Sequence, residues 1–143
     1  MHGPMWHGPG MLEAIGALTA AQAAAYPIPG AHSVWELVLH IGAWADIARA
    51  RLDGSAPPEP QPHEDWPPVR ATDGETAWQR DCDRAVRAYE SLADAVVSLT
   101  PDDLALPVDG HPYKRAVMLH GVGEHGVYHA GQIILLRRAI QGT

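Results

Sequence analysis

Apolar residues recur at helical spacing in three long segments of the chain. The first segment opens with Ser33 and Glu36 in a capping-box arrangement, which marks the start of a helix. The apolar side chains that follow share one broad helical face: Trp35, Leu37, Val38, Ile41, Trp44, Ala45 and Ala48. This pattern predicts a long helix from about Ser33 to Leu52.

Two further long helices are predicted downstream. Thr72 and Glu75 form another capping box, and the apolar residues after them keep helical spacing up to Pro101: Trp78, Cys82, Ala85, Val86, Tyr89, Leu92 and Val96. A short helical turn, residues 100–104, has Pro101 at its first helical position. The last long helix is expected from near Pro112 to near Ile140.

The rest of the sequence predicts short helical segments near the start of the chain and a long connection between two of the long helices. Residues 10–18 have helical composition, and Thr19 with Gln22 marks the start of a new helical turn. Residues 54–68 hold six of the 13 prolines, so we expect an extended crossover between bundle helices. No run has the alternation typical of a strand, and the fold is therefore predicted to be all-α.

Length and charge narrow the classes of function. The 143 residues predict a single domain, residues 1–143. The net charge is −7 and the ten Lys and Arg residues are scattered, so we expect no nucleic acid and no membrane partner. The chain has no apolar run of membrane-spanning length and no signal-peptide pattern at its start, which favours the cytoplasm. The single cysteine, Cys82, cannot form an internal disulfide and is expected to be a buried, inert thiol.

Two of the nine histidines are candidates for a shared metal ion. His125 and His129 lie four residues apart on the last helix, so their side chains are separated by one turn and only about 40° of rotation. His120 points roughly 160° away from that pair and should not join it. Such a pair alone is weak evidence, because two partly buried or surface histidines would show the same spacing.

His40 is the candidate third ligand, since it lies among the core-facing residues of the helix 33–52. A lone histidine on an apolar face is usually a core residue with a hydrogen-bond partner, because an unpaired polar group there is costly. Here three histidines could satisfy one another through a metal ion. Neutral imidazole suits zinc, nickel, copper or iron, and three ligands without a fourth leave positions for water or substrate, as in catalytic sites.

The segments AHSVWELVLHI (31–41) and EHGVYHAGQI (124–133) resemble the DinB-like (DinB/YfiT) superfamily. The resemblance implies a four-helix bundle with one long crossover, often dimeric, that holds a divalent metal through three histidines. It assigns the three ligands to His40, His125 and His129. Family activities include glutathione-, mycothiol- and bacillithiol-dependent transfer and isomerisation. Relatives carry more of the first helix upstream, so we expect that helix to be truncated here.

Four further residues are candidates for the surroundings of the metal. Glu36 and Trp44 lie one turn before and one turn after His40, although the capping box with Ser33 already explains Glu36. Gln132, one turn beyond His129, is interpreted either as a residue that orients a water or a histidine ring, or as a surface amide. The resemblance extends to WHGP (6–9) and makes His7 a candidate for the cleft.

The last predicted helix contains four glycines, at positions 121, 123, 126 and 131. Each glycine costs roughly 1 kcal/mol in helix propensity. We expect close approach of a neighbouring helix or of a substrate to account for them.

Two hypotheses for the function follow. The first is a Zn- or Ni-dependent transferase or hydrolase, acting on a small-molecule substrate with a low-molecular-weight thiol, in a homodimer. Its metal would lower the pKa of bound water or of a thiol and so create a nucleophile at neutral pH. The alternative is a non-catalytic, metal-containing stress-response or ligand-binding protein. A fourth protein ligand would favour this alternative, because structural sites are normally closed.

Overall fold

Seven helices and no strand make up the part of the chain that the computed structural model describes, residues 10–16, 18–55, 59–69 and 74–142. The helices are α1 (Met11–Ile15), α2 (Ala20–Ala23), α3 (Val34–Leu52), α4 (Pro62–Asp65), α5 (Gly74–Val97), α6 (Pro101–Ala105) and α7 (Arg115–Gln141). None of the helices in these ranges combines the length and the apolar character that crossing a membrane requires.

The long helices α3, α5 and α7 form the body of a helical bundle. Helix α3 packs against both α5 and α7, while α1 lies against α7 and α2 against α5. The α1–α2 pair therefore takes the place of the fourth helix in two short pieces. The all-α fold expected from the sequence is confirmed.

Reciprocal caps fix the starts of several helices where the sequence predicts them. The Ser33 hydroxyl accepts from the Glu36 backbone N–H at 3.2 Å, and the Glu36 carboxylate accepts from the Ser33 N–H at 2.8 Å. Thr19 and Gln22 cap α2 in the same way. Thr72, predicted to cap the next long helix, lies outside the described residues.

Helix α7 begins at Arg115, three residues after the predicted start at Pro112. The segment before it folds back on itself instead of turning helical. The backbone N–H of Arg115 donates to the carbonyl of Leu106, and the N–H of Val108 donates to the carbonyl of Tyr113. This local pairing uses the backbone groups that an earlier helical turn would need.

Close packing between α3 and α5 depends on Gly42. A Cβ built on Gly42 would lie 3.1 Å from both Cα and Cβ of Ala85, so any larger residue would push the two helices apart by a few tenths of an ångström. The indole N–H of Trp35 on α3 donates to the Asp81 carboxylate on α5 at 2.9 Å. These contacts hold α3 in a fixed orientation in the bundle.

The buried apolar residues form two clusters, and the candidate histidines lie near the boundary between them. Along α3, the first cluster extends to Ile41 and the second begins at Ala45. Along α7, Val122 belongs to the second cluster and Ile133 to the first. His40, His125 and His129 therefore occur where the apolar core is interrupted.

The proline-rich crossover differs from its prediction. The prolines predict an extended segment at residues 54–68, but this segment contains the helical turn α4, with Pro62 at its first position. The Glu64 carboxylate accepts from the Gln61 backbone N–H at 2.7 Å, which stabilises the start of this turn. Helix α4 packs against α3 and brings Asp65 and Trp66 next to His40.

Candidate metal centre

Three histidine side chains from two helices converge on one point. His40 comes from α3, and His125 and His129 come from α7. The Nε2 atom of His125 lies 3.0 Å from Nε2 of His40 and 3.0 Å from Nε2 of His129. One donor atom from each side chain lies within 4.8 Å of the other two, a grouping that could hold a metal ion.

In His40 and His129, the ring nitrogen that faces away from the cluster, Nδ1, is hydrogen-bonded to a carbonyl oxygen. Nδ1 of His40 donates to the backbone carbonyl of Asp65 at 2.7 Å, and its distance to the Asp65 carboxylate is 3.2 Å. Nδ1 of His129 donates to the side-chain carbonyl of Gln132 at 2.6 Å. Because a carbonyl oxygen can only accept, both Nδ1 atoms carry the proton and both Nε2 atoms present a lone pair.

Burial keeps the three imidazoles neutral. His40 and His129 are only 5% and 7% exposed. Burial lowers the pKa of both residues, although their hydrogen bonds to Asp65 and Gln132 act in the opposite direction. Burial, together with the neighbouring His129 and His40, lowers the pKa of His125 to about 4. Neutral imidazole is the form that binds metal ions.

The donor set fits a cation. Nε2 of His40 and Nε2 of His129 both present lone pairs toward Nε2 of His125, which can carry at most one proton. A single N–H cannot donate well to two acceptors at once. One metal ion among the three Nε2 atoms would accept a lone pair from each of them. Nδ1 of His125 is buried and has no hydrogen-bond partner among the described residues.

Aromatic rings and a carboxylate surround His40. The Trp66 ring stacks on His40, with ring centroids 3.9 Å apart and planes 7° apart, and His32 stacks on the other side of Trp66 at 3.6 Å. The indole N–H of Trp44 donates to the Asp65 carboxylate at 2.8 Å. Asp65 is thus shared between Trp44 and His40, and it fixes the orientation of both.

A cavity of about 480 Å³ opens beside His40 and His125. Its polar lining also includes Asp65, Arg51 and Tyr113. The other walls are mostly apolar and are formed by Trp44, Val117, Met118, Gly121 and Val122. A cavity of this size and character is typical of a site for a small molecule.

Glu36 lies away from the three histidines. Its carboxylate accepts from the Tyr26 hydroxyl at 2.9 Å and from the Ser33 N–H, and it lies 3.4 Å from Nδ1 of His32. Burial raises the pKa of Glu36, but these hydrogen bonds outweigh it and leave the pKa below its usual value. Glu36 therefore acts at the start of α3, whereas Trp44 contacts the rings of His40 and His125. His7 lies outside the described residues.

Asp65 and Trp66 are site residues that the sequence analysis missed. They lie in a proline-rich segment without helical periodicity, 25 and 26 positions after His40. The capping pattern of Gln61, Pro62 and Glu64 could have indicated the turn that precedes them. His32, which directly precedes the Ser33 cap of α3, is part of the same aromatic stack.

Other predictions about single residues are also met in the structure. Cys82 is buried, and burial together with the nearby Asp83 and Asp81 carboxylates raises its pKa to about 12, as expected for an inert thiol. His120 lies apart from the other histidines and pairs with Glu124 at 3.2 Å.

The chain matches one known protein family over most of its length. The family model of the DinB superfamily matches residues 7–133, which include all three histidines and the crossover. The chain belongs to the DinB superfamily. The match confirms the resemblance carried by residues 31–41 and 124–133.

A solved structure supports the DinB-type fold. The crystal structure of a conserved protein from Enterococcus faecalis superposes with a TM-score of 0.73 and 22% sequence identity, covering 93% of this chain and 89% of that one. At this identity the similarity concerns the fold. No curated protein matches the sequence significantly.

Proposed function

We propose that this DinB-superfamily protein is a metal-dependent enzyme in which His40, His125 and His129 bind Zn²⁺ or Ni²⁺. The observation that carries the proposal is the convergence of three Nε2 atoms, two of which are unprotonated because carbonyl oxygens hold the opposite ring nitrogens. A hydrogen-bonded outer nitrogen is the usual arrangement for a histidine that binds metal.

The surroundings support catalysis over a purely structural role. Among the described residues the donor group contains three side chains, whereas structural zinc sites normally have four. An ion held by three histidines would lower the pKa of a coordinated water or thiol and so supply a nucleophile at neutral pH. The reaction proposed is transfer of a low-molecular-weight thiol to a small electrophile, or hydrolysis.

The protein's own groups have separate tasks in this proposal. Asp65 and Gln132 orient the imidazole rings of His40 and His129 through hydrogen bonds. Trp66 covers one face of the His40 ring and excludes water from it. The apolar cavity beside His40 and His125 receives the substrate.

Metal analysis tests the site. Protein purified without an affinity tag should contain about one divalent ion per chain by elemental analysis. His40→Ala and His129→Ala should lose the ion, whereas His120→Ala should keep it, because His120 is exposed and pairs with Glu124. Metal-free wild-type protein, or retention of the ion by the first two variants, would contradict the proposed site.

Turnover distinguishes an enzyme from the alternative, a non-catalytic stress-response or ligand-binding protein. The metal-loaded protein would be offered glutathione, bacillithiol and mycothiol with a panel of electrophiles, and a panel of esters and amides for hydrolysis. We expect turnover with at least one pair and its loss in His125→Ala. Absence of turnover, or turnover that does not depend on His125, would favour the binding protein.

A cytoplasmic homodimer is part of the same proposal. Tyr128 and Leu135 are exposed apolar residues that share one face of α7, which supports a surface covered by a second copy. Light scattering after gel filtration should give twice the chain mass of 15.4 kDa. Leu135→Glu should shift the protein toward monomer, and a monomeric wild type would contradict this part of the proposal.

A further inference from the structure

Gly121 in α7 is not explained by the packing of the bundle. It lies inside α7 with ordinary helical backbone, so no turn or left-handed conformation requires a glycine there. A Cβ added at Gly121 would meet no described atom within 4 Å, so close approach of a neighbouring helix does not require it either. Glycine inside a helix is nevertheless less stable than almost any other residue.

The position of Gly121 places it in the wall of the cavity beside the histidines. It lies one turn after Val117 and one turn before His125, and both of these residues line the same cavity. Residues four positions apart form a ridge along the surface of a helix. The missing side chain at position 121 therefore leaves a gap in this ridge, next to His125 and on the opposite side from His129.

The surfaces around this gap are apolar. Met118 and Val122 also line the cavity, and each is only 7% exposed. The Trp44 ring forms a further part of the wall, and its indole N–H is already bonded to Asp65 at 2.8 Å. The Trp44 ring therefore offers carbon atoms to a ligand, and an apolar group fits this part of the cavity.

The charged side chains of the cavity already have partners within the protein. The Asp65 carboxylate accepts from Trp44 and lies 3.2 Å from Nδ1 of His40. Arg51 donates to the Tyr113 hydroxyl at 3.0 Å, lies 5.7 Å from the centroid of the Trp44 ring and has a further interaction. A charged ligand would lose its hydration here without meeting a free group of opposite charge, so the cavity favours an uncharged one.

We propose, on the basis of the proposed function, that Gly121 selects the substrate, which is a small uncharged molecule with an apolar group. The apolar group occupies the gap at Gly121, between Val117 and His125, and the reacting group of the molecule lies toward His40. A larger side chain at position 121 would fill this space. Glycine thus lowers the stability of the helix but leaves room for the substrate beside the histidines.

Fluorine NMR titration of metal-free protein with 4-fluorobenzyl alcohol tests this assignment without depending on the metal. The wild type should bind this uncharged alcohol, and it should bind the charged 4-fluorobenzoate about 10-fold more weakly. Gly121→Leu should weaken binding of the alcohol by about 10-fold or more, because its side chain fills the gap. Gly121→Ala fills less of the gap and should weaken binding by a smaller factor.

Gly123 provides the matched control in the same helix. A Cβ added there also meets no described atom within 4 Å, but Gly123 is not among the described residues that line the cavity. Gly123→Ala and Gly123→Leu should therefore bind the alcohol like the wild type. Because alanine gains the same helix propensity at both positions, Gly121→Ala and Gly123→Ala should raise the melting temperature by similar amounts. Only the substitutions at Gly121 should reduce binding.

Several outcomes would overturn the inference. They are no binding of the alcohol to the wild type, unchanged binding in Gly121→Leu, and an equal loss of binding in Gly123→Leu. Binding of 4-fluorobenzoate that is as tight as that of the alcohol would refute an uncharged substrate. If Gly121→Leu fails to fold by circular dichroism, Gly121→Ala decides, and unchanged affinity in that variant counts against the proposal. A protein that lacks metal but binds the alcohol in a way that depends on Gly121 would refute the proposed function alone.

Discussion

Trp66 lies flat on His40, with the ring centroids 3.9 Å apart and the planes 7° apart. The two residues come from different elements, since His40 is in α3 and Trp66 ends the helical turn α4 in the crossover. On its other face Trp66 stacks on His32. The crossover is thereby attached to α3 through the candidate metal centre.

Replacing Trp66 by alanine should destabilise the protein and loosen the His40 ring. We expect a loss of roughly 1–3 kcal/mol in the free energy of unfolding, because both stacking contacts and their burial disappear. Urea denaturation of metal-free protein measures this loss. Trp66→Phe keeps an aromatic face and should lose less than half as much. Equal stability of the wild type and Trp66→Ala would show that the stack contributes nothing.

Gln132 should determine how tightly metal is bound through the His129 ring. Gln132→Leu removes the oxygen that accepts from Nδ1 of His129, so we expect metal affinity to fall about 10- to 100-fold. Competition with a chromophoric chelator measures the affinity. Gln132→Glu keeps an acceptor and should retain most of it. Gln79→Leu, at a glutamine that bonds Asp83 on the surface of α5, is the control and should change nothing.

Local patterns explain why much of this fold could be predicted. The capping pairs Ser33–Glu36 and Thr19–Gln22 involve residues three positions apart, and the apolar face of α3 repeats within a few turns. The spacing of His125 and His129 is local in the same sense. Such features depend on the helix itself and are visible in the sequence.

The features that the sequence did not reveal depend on distant contacts. Asp65 meets His40 only because the crossover folds back over α3, and no periodic pattern marks that return. The sequence pattern predicts the start of α7 too early, because the backbone pairing of Leu106 with Arg115 competes with helix formation. Arg51 and Tyr113, which are 62 positions apart, likewise meet only through tertiary packing.

Glu36 should make part of the stability depend on pH in the acidic range. Burial raises its pKa, but the hydrogen bonds from Ser33, Tyr26 and His32 lower it more, so the folded-state pKa lies below the ordinary value of 4.5. The stabilisation is therefore complete above the unfolded-state pKa and is lost as the pH falls through the folded-state pKa.

Comparing the wild type with Glu36→Gln isolates this effect. At pH 6 the wild type should be more stable by roughly 0.5–1 kcal/mol, because a carboxylate in the first turn of α3 also interacts favourably with the helix dipole. Urea unfolding at several values down to pH 3 should show the difference shrinking. A difference that stays constant over this range would mean that ionised Glu36 adds nothing to the cap.

The glycines of α7 should respond to substitution in opposite ways. A Cβ added at Gly126 would lie 2.8 Å from the Tyr89 hydroxyl, whereas one added at Gly123 meets no described atom within 4 Å. Close approach therefore accounts for Gly126 and not for Gly123. Gly123→Ala should stabilise the protein by about 1 kcal/mol through helix propensity. Gly126→Ala gains the same helix propensity but loses roughly 1–3 kcal/mol through overpacking, so its net effect should be a smaller destabilisation.

A double-mutant cycle with Tyr89→Phe identifies the cause at Gly126. The Tyr89 hydroxyl is buried without a hydrogen-bond partner among the described residues, so its removal alone should cost little. Without that oxygen, the nearest atom of the ring is 3.6 Å from the added Cβ, an ordinary contact distance. In the Tyr89→Phe background, Gly126→Ala should therefore cost much less stability than it does in the wild type, as measured by thermal unfolding. If the two substitutions are simply additive, the Tyr89 hydroxyl is not what requires glycine at position 126.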